Sequence, residues 1–313
     1  MTLKIAIIHT RIKLGARRTN LRRLEELINR TIIEHDVDLI YLPAYPLTGP
    51  VVGYYPNQKI KMMLKNFSER LNESELQQNQ TFMALSKWSH EFGIYTIAGP
   101  IVERAGPRLY LTTFSTNPQG ELSGKYRKIA ITKSEEESGL TPGKSVVVFE
   151  IKKKSAYIGI FIDEDLGYPE IFRALSYMGA NAIIGTMLPY DSQFFKMKND
   201  TELALLTLEE ETINNFLAVR SKETDLPIIL IGGAVEGVNN SGYIAFMPTI
   251  TAEPEVGVVK DRIRTYEDLD LPIIVEVDTS SSKPRGFDTT SRILLKNLCR
   301  KSDKENSKYE DEE

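Results

Sequence analysis

Residues 158–173 read Ile-Gly-Ile-Phe-Ile-Asp-Glu-Asp-Leu-Gly-Tyr-Pro-Glu-Ile-Phe-Arg, the most informative stretch of the chain for its architecture. Its first five residues form an apolar run of strand length, and three acidic residues follow where the run ends. Pro169 then stands at a position typical of the first residue of a helix. A buried strand that leads through a short polar turn into a helix indicates an α/β protein.

The same alternation of strands and helices continues on both sides of this stretch. Apolar residues recur at helical spacing between the first two strands and again over residues 57–92, with a polar interruption at residues 72–80. No linker rich in Gly, Ser or Pro divides the chain, so we expect one domain over residues 1–280, a helical extension over 281–299 and a disordered charged tail over 300–313. We expect helices also at residues 169–178 and 203–221, and strands at residues 3–9, 38–42, 94–98, 109–115, 146–151, 157–162, 182–184, 228–232, 243–248, 256–260 and 273–277.

Composition narrows the class of protein before any motif is considered. The 313 residues are 41% hydrophobic and carry a formal net charge of −4, which disfavours a wholly cationic nucleic-acid binder. The single cysteine, Cys299, excludes an internal disulfide framework and a cysteine cage for a metal. We expect a cytoplasmic protein with no membrane span and neither a cofactor nor a metal. The 31 Ile and 6 Gln resemble the composition of thermophile proteins.

Two further stretches, together with residues 158–173, carry a family resemblance. Residues 38–49 read Asp-Leu-Ile-Tyr-Leu-Pro-Ala-Tyr-Pro-Leu-Thr-Gly, and residues 118–129 include Tyr126-Arg127-Lys128, with Leu-Thr-Pro-Gly at 140–143. In this order and spacing the three stretches resemble the nitrilase, or carbon-nitrogen hydrolase, superfamily over about residues 1–280. The resemblance implies a four-layer α-β-β-α sandwich that pairs with a second subunit into an eight-layer assembly.

The resemblance also assigns roles to individual positions of the site. The family uses a Glu as general base, a Lys that stabilises the oxyanion and a Cys nucleophile. Of these, Lys128 is present, whereas Ala44 stands at the position of the Glu and Asp163 at that of the Cys. A second, supporting carboxylate falls on Glu137 or Glu136.

These substitutions remove two of the three catalytic groups. Ala44 cannot accept a proton, and a carboxylate at 163 is a far weaker nucleophile toward amides than a thiolate. Cys299 lies in the apolar pattern of a C-terminal helix and is expected to pack there. We therefore expect Asp163 to form an ion pair with Lys128, in which it supplies the negative charge that Ala44 lacks; a site that binds a small polar ligand is the alternative.

Three classes of function remain open on this basis. The first is a catalytically inactive member that acts as a binding or scaffold protein, as a homodimer or higher homo-oligomer, with a protein partner recruited through residues 281–313. The second is an amidase with a rewired active site. The third, for which the net charge is unfavourable, is a nucleic-acid-associated module that uses the arginines of the first helix, at positions 17, 18, 22, 23 and 30.

Overall fold

The computed structural model describes residues 1–188, 204–205, 210–238 and 243–280 of the chain. The expected helical extension at 281–299 and the expected tail at 300–313 lie outside the described residues, as does Cys299. None of the helices in the described ranges is long and apolar enough to cross a bilayer.

The described residues form sixteen strands and six α-helices. The helices are α1 (Arg17–Glu34), α2 (Asn57–Phe67), α3 (Gln80–Phe92), α4 (Lys133–Glu137), α5 (Pro169–Tyr177) and α6 (Glu210–Thr224). The strands are β1 (Thr2–His9), β2 (Arg11–Lys13), β3 (Leu39–Tyr41), β4 (Tyr95–Ala105), β5 (Arg108–Thr116), β6 (Leu122–Arg127), β7 (Val148–Ile151), β8 (Ala156–Ile162), β9 (Ala182–Thr186), β10 (Ala204–Leu205), β11 (Ile228–Ile231), β12 (Gly233–Val238), β13 (Tyr243–Met247), β14 (Ile250–Glu253), β15 (Gly257–Val258) and β16 (Leu271–Asp278).

Two six-stranded sheets and a smaller one organise these strands. The first large sheet has the order β16-β1-β3-β4-β5-β6, and the second has the order β15-β14-β11-β9-β8-β7. The four-stranded sheet has the order β10-β13-β12-β2. Because β1 pairs with β3 on one side and β16 on the other, the beginning and the end of the described chain meet in one sheet.

Strand alternation explains why the two large sheets stack between helices. On β1, Leu3, Ile5 and Ile7 face the cluster between the sheets, whereas Ala6 and Ile8 face the opposite way. The outer side of this sheet is covered by apolar residues of α1 and α3, and that of the second sheet by residues of α5 and α6. The layers are therefore α-β-β-α, as the resemblance implies.

Most expected elements are present, with differences at the edges and in the last third. The helix expected over residues 203–221 is wrong at its start, since Ala204–Leu205 pairs with β13 as a strand and α6 begins at Glu210. The periodicity of the sequence could not separate these two segments, because the strand contributes only two residues. The short strands β2 and β14 carry too few residues for an alternating pattern.

The site residues follow the ends of three strands that the fold brings together. Ala44 follows β3, Lys128 is the residue after β6, and Asp163 is the residue after β8. Beyond β6, the amide of Lys128 donates to the carbonyl of Leu111 at 2.8 Å, so the strand pairing continues through the lysine.

Candidate functional site

Lys128 is buried between the two large sheets and contacts three carboxylates. Its Nζ donates to Glu135 Oε1 at 2.8 Å and Oε2 at 3.0 Å, and to Glu164 Oε2 at 3.0 Å. The Asp163 carboxylate lies farther away, with Oδ2 at 3.5 Å. The lysine side chain has no exposed surface, so these interactions take place away from bulk water. One cation thus faces up to three negative charges.

The supporting carboxylate is Glu135, and the expectation of Glu137 or Glu136 is wrong. Thr132 begins α4 with a capping box, in which the Glu135 amide donates to Thr132 Oγ1 at 3.1 Å and the Thr132 amide donates to Glu135 Oε2 at 2.7 Å. This cap turns the Glu135 side chain inward. Glu136 and Glu137 lie on the following helical positions and are exposed, and Glu137 pairs with Lys133 on the surface.

Asp163 begins a tight 3-10 turn, residues Asp163–Gly167, directly after β8. Its φ of 45° lies in the left-handed region, which Asp tolerates better than most residues. The side chain is 5% exposed. The turn sends both Asp163 and its neighbour Glu164 toward Lys128, although neighbours on an extended strand would point in opposite directions.

Asp165 is the last of the three consecutive acids, and its carboxylate holds the turn in place through Tyr126 and two backbone amides. Its carboxylate accepts hydrogen bonds from Tyr126 Oη at 2.6 Å, from the Ala130 amide at 2.8 Å and from the Ile162 amide at 2.9 Å. Burial nevertheless raises its pKa to about 6, because these bonds offset only part of the lost solvation. Asp165 therefore ties β6 to the end of β8.

The protonation of the cluster follows from its charge balance. Burial alone would lower the pKa of Lys128, but the surrounding carboxylates reverse this effect and raise it above its ordinary 10.5. For Asp163, burial raises the pKa well above 3.8; Lys128 opposes that rise, and Glu164 and Glu135 add to it. The ammonium is thus the stable charge of the cluster, and the raised pKa of Asp163 favours its protonated form.

This arrangement changes the expected role of Asp163. We expected its carboxylate to replace a negative charge missing at Ala44, but Glu135 and Glu164 are both closer to Lys128 Nζ than Asp163 is. The sequence analysis missed Glu164. The signal that could have revealed it is the unbroken run of three acids after a buried strand, because buried carboxylates need cations or hydrogen-bond donors beside them.

Ala44 is buried beside the cluster in an apolar environment. It is 1% exposed and belongs to the same apolar group as Tyr45, Tyr54 and Leu188. Tyr45 also has a φ in the left-handed region, at 48°, and its amide donates to the Pro100 carbonyl at 2.8 Å. The chain therefore makes a tight bend after β3, and an alanine methyl occupies the position of the expected general base.

A small cavity adjoins the acidic side of the cluster. Its volume is about 10 Å³, near the minimum that holds a single water molecule. Two phenol-bearing side chains and two of the carboxylates line it with apolar neighbours: Tyr45, Pro50, Val52, Tyr54, Glu135, Asp163 and Leu188. As bounded by these residues, the cavity does not accommodate an amide substrate.

Other candidate sites are less supported by the geometry. In α1, Arg17 pairs with Glu69 and donates to the Phe67 carbonyl, and Arg23 donates to the Arg11 carbonyl, so these arginines bind the protein's own groups. Among the residues that the structure describes, no group of His, Cys, Asp and Glu side chains is arranged to hold a metal ion.

Comparison with known proteins places this geometry in context. The family model for carbon-nitrogen hydrolases matches residues 4–279. Among curated proteins, nitrilase homolog 2 of Dictyostelium discoideum is 31% identical over 121 residues, covering 36% of this chain and 36% of that protein. Omega-amidase NIT2 of Xenopus tropicalis is 32% identical over 108 residues, covering 32% of this chain and 38% of the amidase. The chain thus spans little more than a third of the length of each relative.

Solved structures match over nearly the whole chain at lower identity. Nit3 of Saccharomyces cerevisiae, a nitrilase superfamily member, has a TM-score of 0.67 at 20% identity and covers 90% of this chain and 91% of its own. A carbon-nitrogen hydrolase from Helicobacter pylori G27 has a TM-score of 0.69 at 15% identity, with the same coverage. A mutant amidase from Nesterenkonia sp. AN1, with acrylamide added to its active-site cysteine, has a TM-score of 0.65 at 15% identity, covering 95% of this chain and 99% of its own.

Proposed function

This chain belongs to the carbon-nitrogen hydrolase family, and we propose that it is a catalytically inactive member that acts as a binding or scaffold protein. The observation that carries the proposal is the environment of Lys128. An oxyanion-stabilising lysine acts through positive charge that is free to meet the charge developing on the substrate. Here the ammonium is already bonded to Glu135 and Glu164, with Asp163 beside them.

The excess of carboxylates works against acyl transfer in a second way. An oxyanion formed near Lys128 would enter a buried region that already holds more negative than positive charge, and like charges repel most strongly where water is excluded. The cluster would therefore raise the free energy of a tetrahedral intermediate instead of lowering it.

The nucleophile position supports the same conclusion. A carboxyl group that attacks an amide must form an anhydride, which is a poorer route than a thioester. Burial raises the pKa of Asp163, which lowers the share of the nucleophilic carboxylate further. The amidase from Nesterenkonia sp. AN1 carries an active-site cysteine, whereas the only cysteine of this chain is Cys299.

The test of this proposal is an amide-hydrolysis assay. Purified protein should release no ammonia from a panel of primary amides, nitriles and carbamoyl amino acids at any pH between 5 and 9. Turnover that disappears in Asp163→Asn would overturn the proposal.

Reconstruction of the site provides the companion experiment. The Ala44→Glu/Asp163→Cys variant restores both missing groups but still keeps Glu164, so the ammonium would again contact three carboxylates. We expect at most weak activity, which increases when Glu164→Gln is added because one of the competing charges is removed. Ala44→Gln/Asp163→Cys is the matched control, since it fills the same space without a base.

A rewired amidase is the second candidate, and one contact favours it. Glu164 Oε2, at 3.0 Å from Lys128 Nζ, places a carboxylate that can accept a proton in contact with the lysine. In that case Glu164→Gln would abolish a measurable activity of the unmodified protein. The same assay therefore separates the two candidates.

Assembly is part of the proposal as well. We expect a homodimer or higher homo-oligomer that uses the region of α5 and α6. Large apolar side chains are exposed there: Tyr168 and Met178 at the two ends of α5, 50% and 41%, and Val219 on α6, 48%. Light scattering at micromolar concentration measures this directly, and a monomer would contradict it.

A further inference from the structure

The outer face of the β5 and β6 strands carries a row of cations that the site between the sheets does not use. Two adjoining hollows, with volumes of about 420 Å³ and 360 Å³, share Lys125 and Arg127 as lining residues. We call them together the basic trench. Its charged lining residues are six cations and two carboxylates: Arg70, Arg104, Arg108, Lys125, Arg127, Lys144, Glu75 and Glu103.

The charge of the basic trench contrasts with that of the whole chain. Six cations against two carboxylates give a local charge of +4, in a protein whose formal net charge is −4. The row is also extended. Arg108 and Phe114 are six residues apart on β5, and Lys125 pairs with Phe114, so the backbone positions of Arg108 and Lys125 lie about 20 Å apart along the strands. That length suits a chain of negative charges better than a single ion.

The two central cations are already fixed in position. Arg127 donates through Nε to Glu103 Oε2 and through Nη2 to Glu103 Oε1, both at 2.8 Å, and Lys125 Nζ donates to Oε1 at 3.0 Å. The Arg127 guanidinium also lies 3.9 Å from the centre of the Tyr110 ring. Both cationic side chains nevertheless remain about a third exposed. Binding a ligand to these ordered side chains costs less conformational entropy than binding it to flexible ones.

We propose that the basic trench binds an extended chain of phosphate groups. Arginine and lysine side chains are the usual partners of phosphate, and the Arg127 guanidinium over the Tyr110 ring also offers a platform for a nucleobase. The occupant is therefore single-stranded nucleic acid, since inorganic polyphosphate has no base to stack there. The arginines of α1 are separate from this surface, because none of them lines either hollow.

Fluorescence anisotropy of a labelled 15-nucleotide oligouridylate tests the proposal. The unmodified protein should bind it at 50 mM salt, and the affinity should fall as salt rises. Arg108→Gln/Lys144→Gln removes two exposed cations of the trench and should weaken binding at least tenfold. Because each contacted phosphate of a single strand contributes about 0.7 to the salt slope, the slope should decrease by roughly 1.4.

The matched control is Lys59→Gln/Lys61→Gln, which removes the same charge from exposed positions of α2 outside the trench. Binding that falls equally in both double variants, or no binding by the unmodified protein, would overturn the proposal. Inorganic polyphosphate at equal phosphate concentration should compete more weakly than unlabelled oligouridylate because it has no base to stack, and equal competition would overturn the assignment to nucleic acid. Equally effective competition by polyglutamate would also overturn it, since the trench would then recognise any polyanion.

Discussion

Arg127 and Lys128 are neighbours in the sequence, but they belong to opposite electrostatic regions. Lys128 points between the sheets, is fully buried and contacts three carboxylates. Arg127 points to the outer face, is 30% exposed and shares one carboxylate, Glu103, with Lys125. The inner region therefore has an excess of acid and the outer one an excess of base, although one peptide bond joins them.

The difference shows how strand alternation can separate two functions on one segment. Between the sheets, each charge depends on its partners, because its removal from water costs more free energy than any single interaction returns. On the outer face, water solvates an exposed charge that loses its ion-pair partner, so the same residue types are available to a ligand. Substitutions on the two faces should therefore differ in size and in pH dependence.

The largest effect is expected for Lys128→Met. It leaves the carboxylates of Glu135 and Glu164 buried without their cation, which costs about 3–5 kcal/mol of the free energy of unfolding. Lys125→Met, on the same strand but on the outer face, should cost less than about 1 kcal/mol. Urea denaturation measures both, and equal losses would contradict the comparison. Adding Glu164→Gln to Lys128→Met should recover part of the stability.

The next largest effect is expected on the outer face, for Glu103→Gln. Burial alone would raise the pKa of Glu103, but hydrogen bonds from Arg127, Thr112 and Lys125 outweigh it and lower the pKa below 4.5. Removal of this charge-assisted network should cost roughly 2 kcal/mol at pH 7.

A lowered carboxyl pKa sets the pH dependence of that variant. The stabilising contribution of Glu103 is present above its unfolded pKa and is lost as the pH falls through its lower folded pKa. The difference between the unmodified protein and Glu103→Gln should therefore shrink below pH 4. Glu150→Gln, at an exposed position of β7, is the control; a pH-independent difference for Glu103→Gln would contradict the prediction.

Asp163→Asn should stabilise the protein at pH 8, by a smaller amount than Glu103→Gln destabilises it. The folded pKa of Asp163 is raised, so the native protein loses stability as the pH rises from about 3.8 through that folded pKa, whereas Asn has no such dependence. Asp165, with its pKa near 6, adds a slope of the same sign to both proteins.

The measurement is the free energy of unfolding between pH 4 and 8. The advantage of Asp163→Asn should grow with pH, while Asp36→Asn at an exposed position serves as control for the lost charge. A loss of stability as large as that of Lys128→Met would show that Asp163 is an essential counter-ion, as the sequence analysis supposed.

The sequence predicts more of the fold than of the site, for physical reasons. The layers depend on alternation within strands such as residues 3–9 and on helical spacing, and both patterns are repeated many times along the chain. The partner of Lys128 depends on a difference of one or two residues: the capping box at Thr132 selects Glu135 over Glu136 and Glu137. The inward turn of Glu164 depends on the positive φ at Asp163, which no periodicity encodes.

The smallest expected effect concerns the basic trench without its ligand. Arg108 and Lys144 are exposed, and the structure shows neither in an ion pair within the described residues. Arg108→Gln/Lys144→Gln should therefore change the free energy of unfolding by less than about 0.5 kcal/mol. Removal of two like charges from a crowded positive region could even raise it slightly at low salt. A large loss of stability would mean that the outer face, like the inner one, uses its charges for folding, and the contrast between Arg127 and Lys128 would then be one of exposure alone.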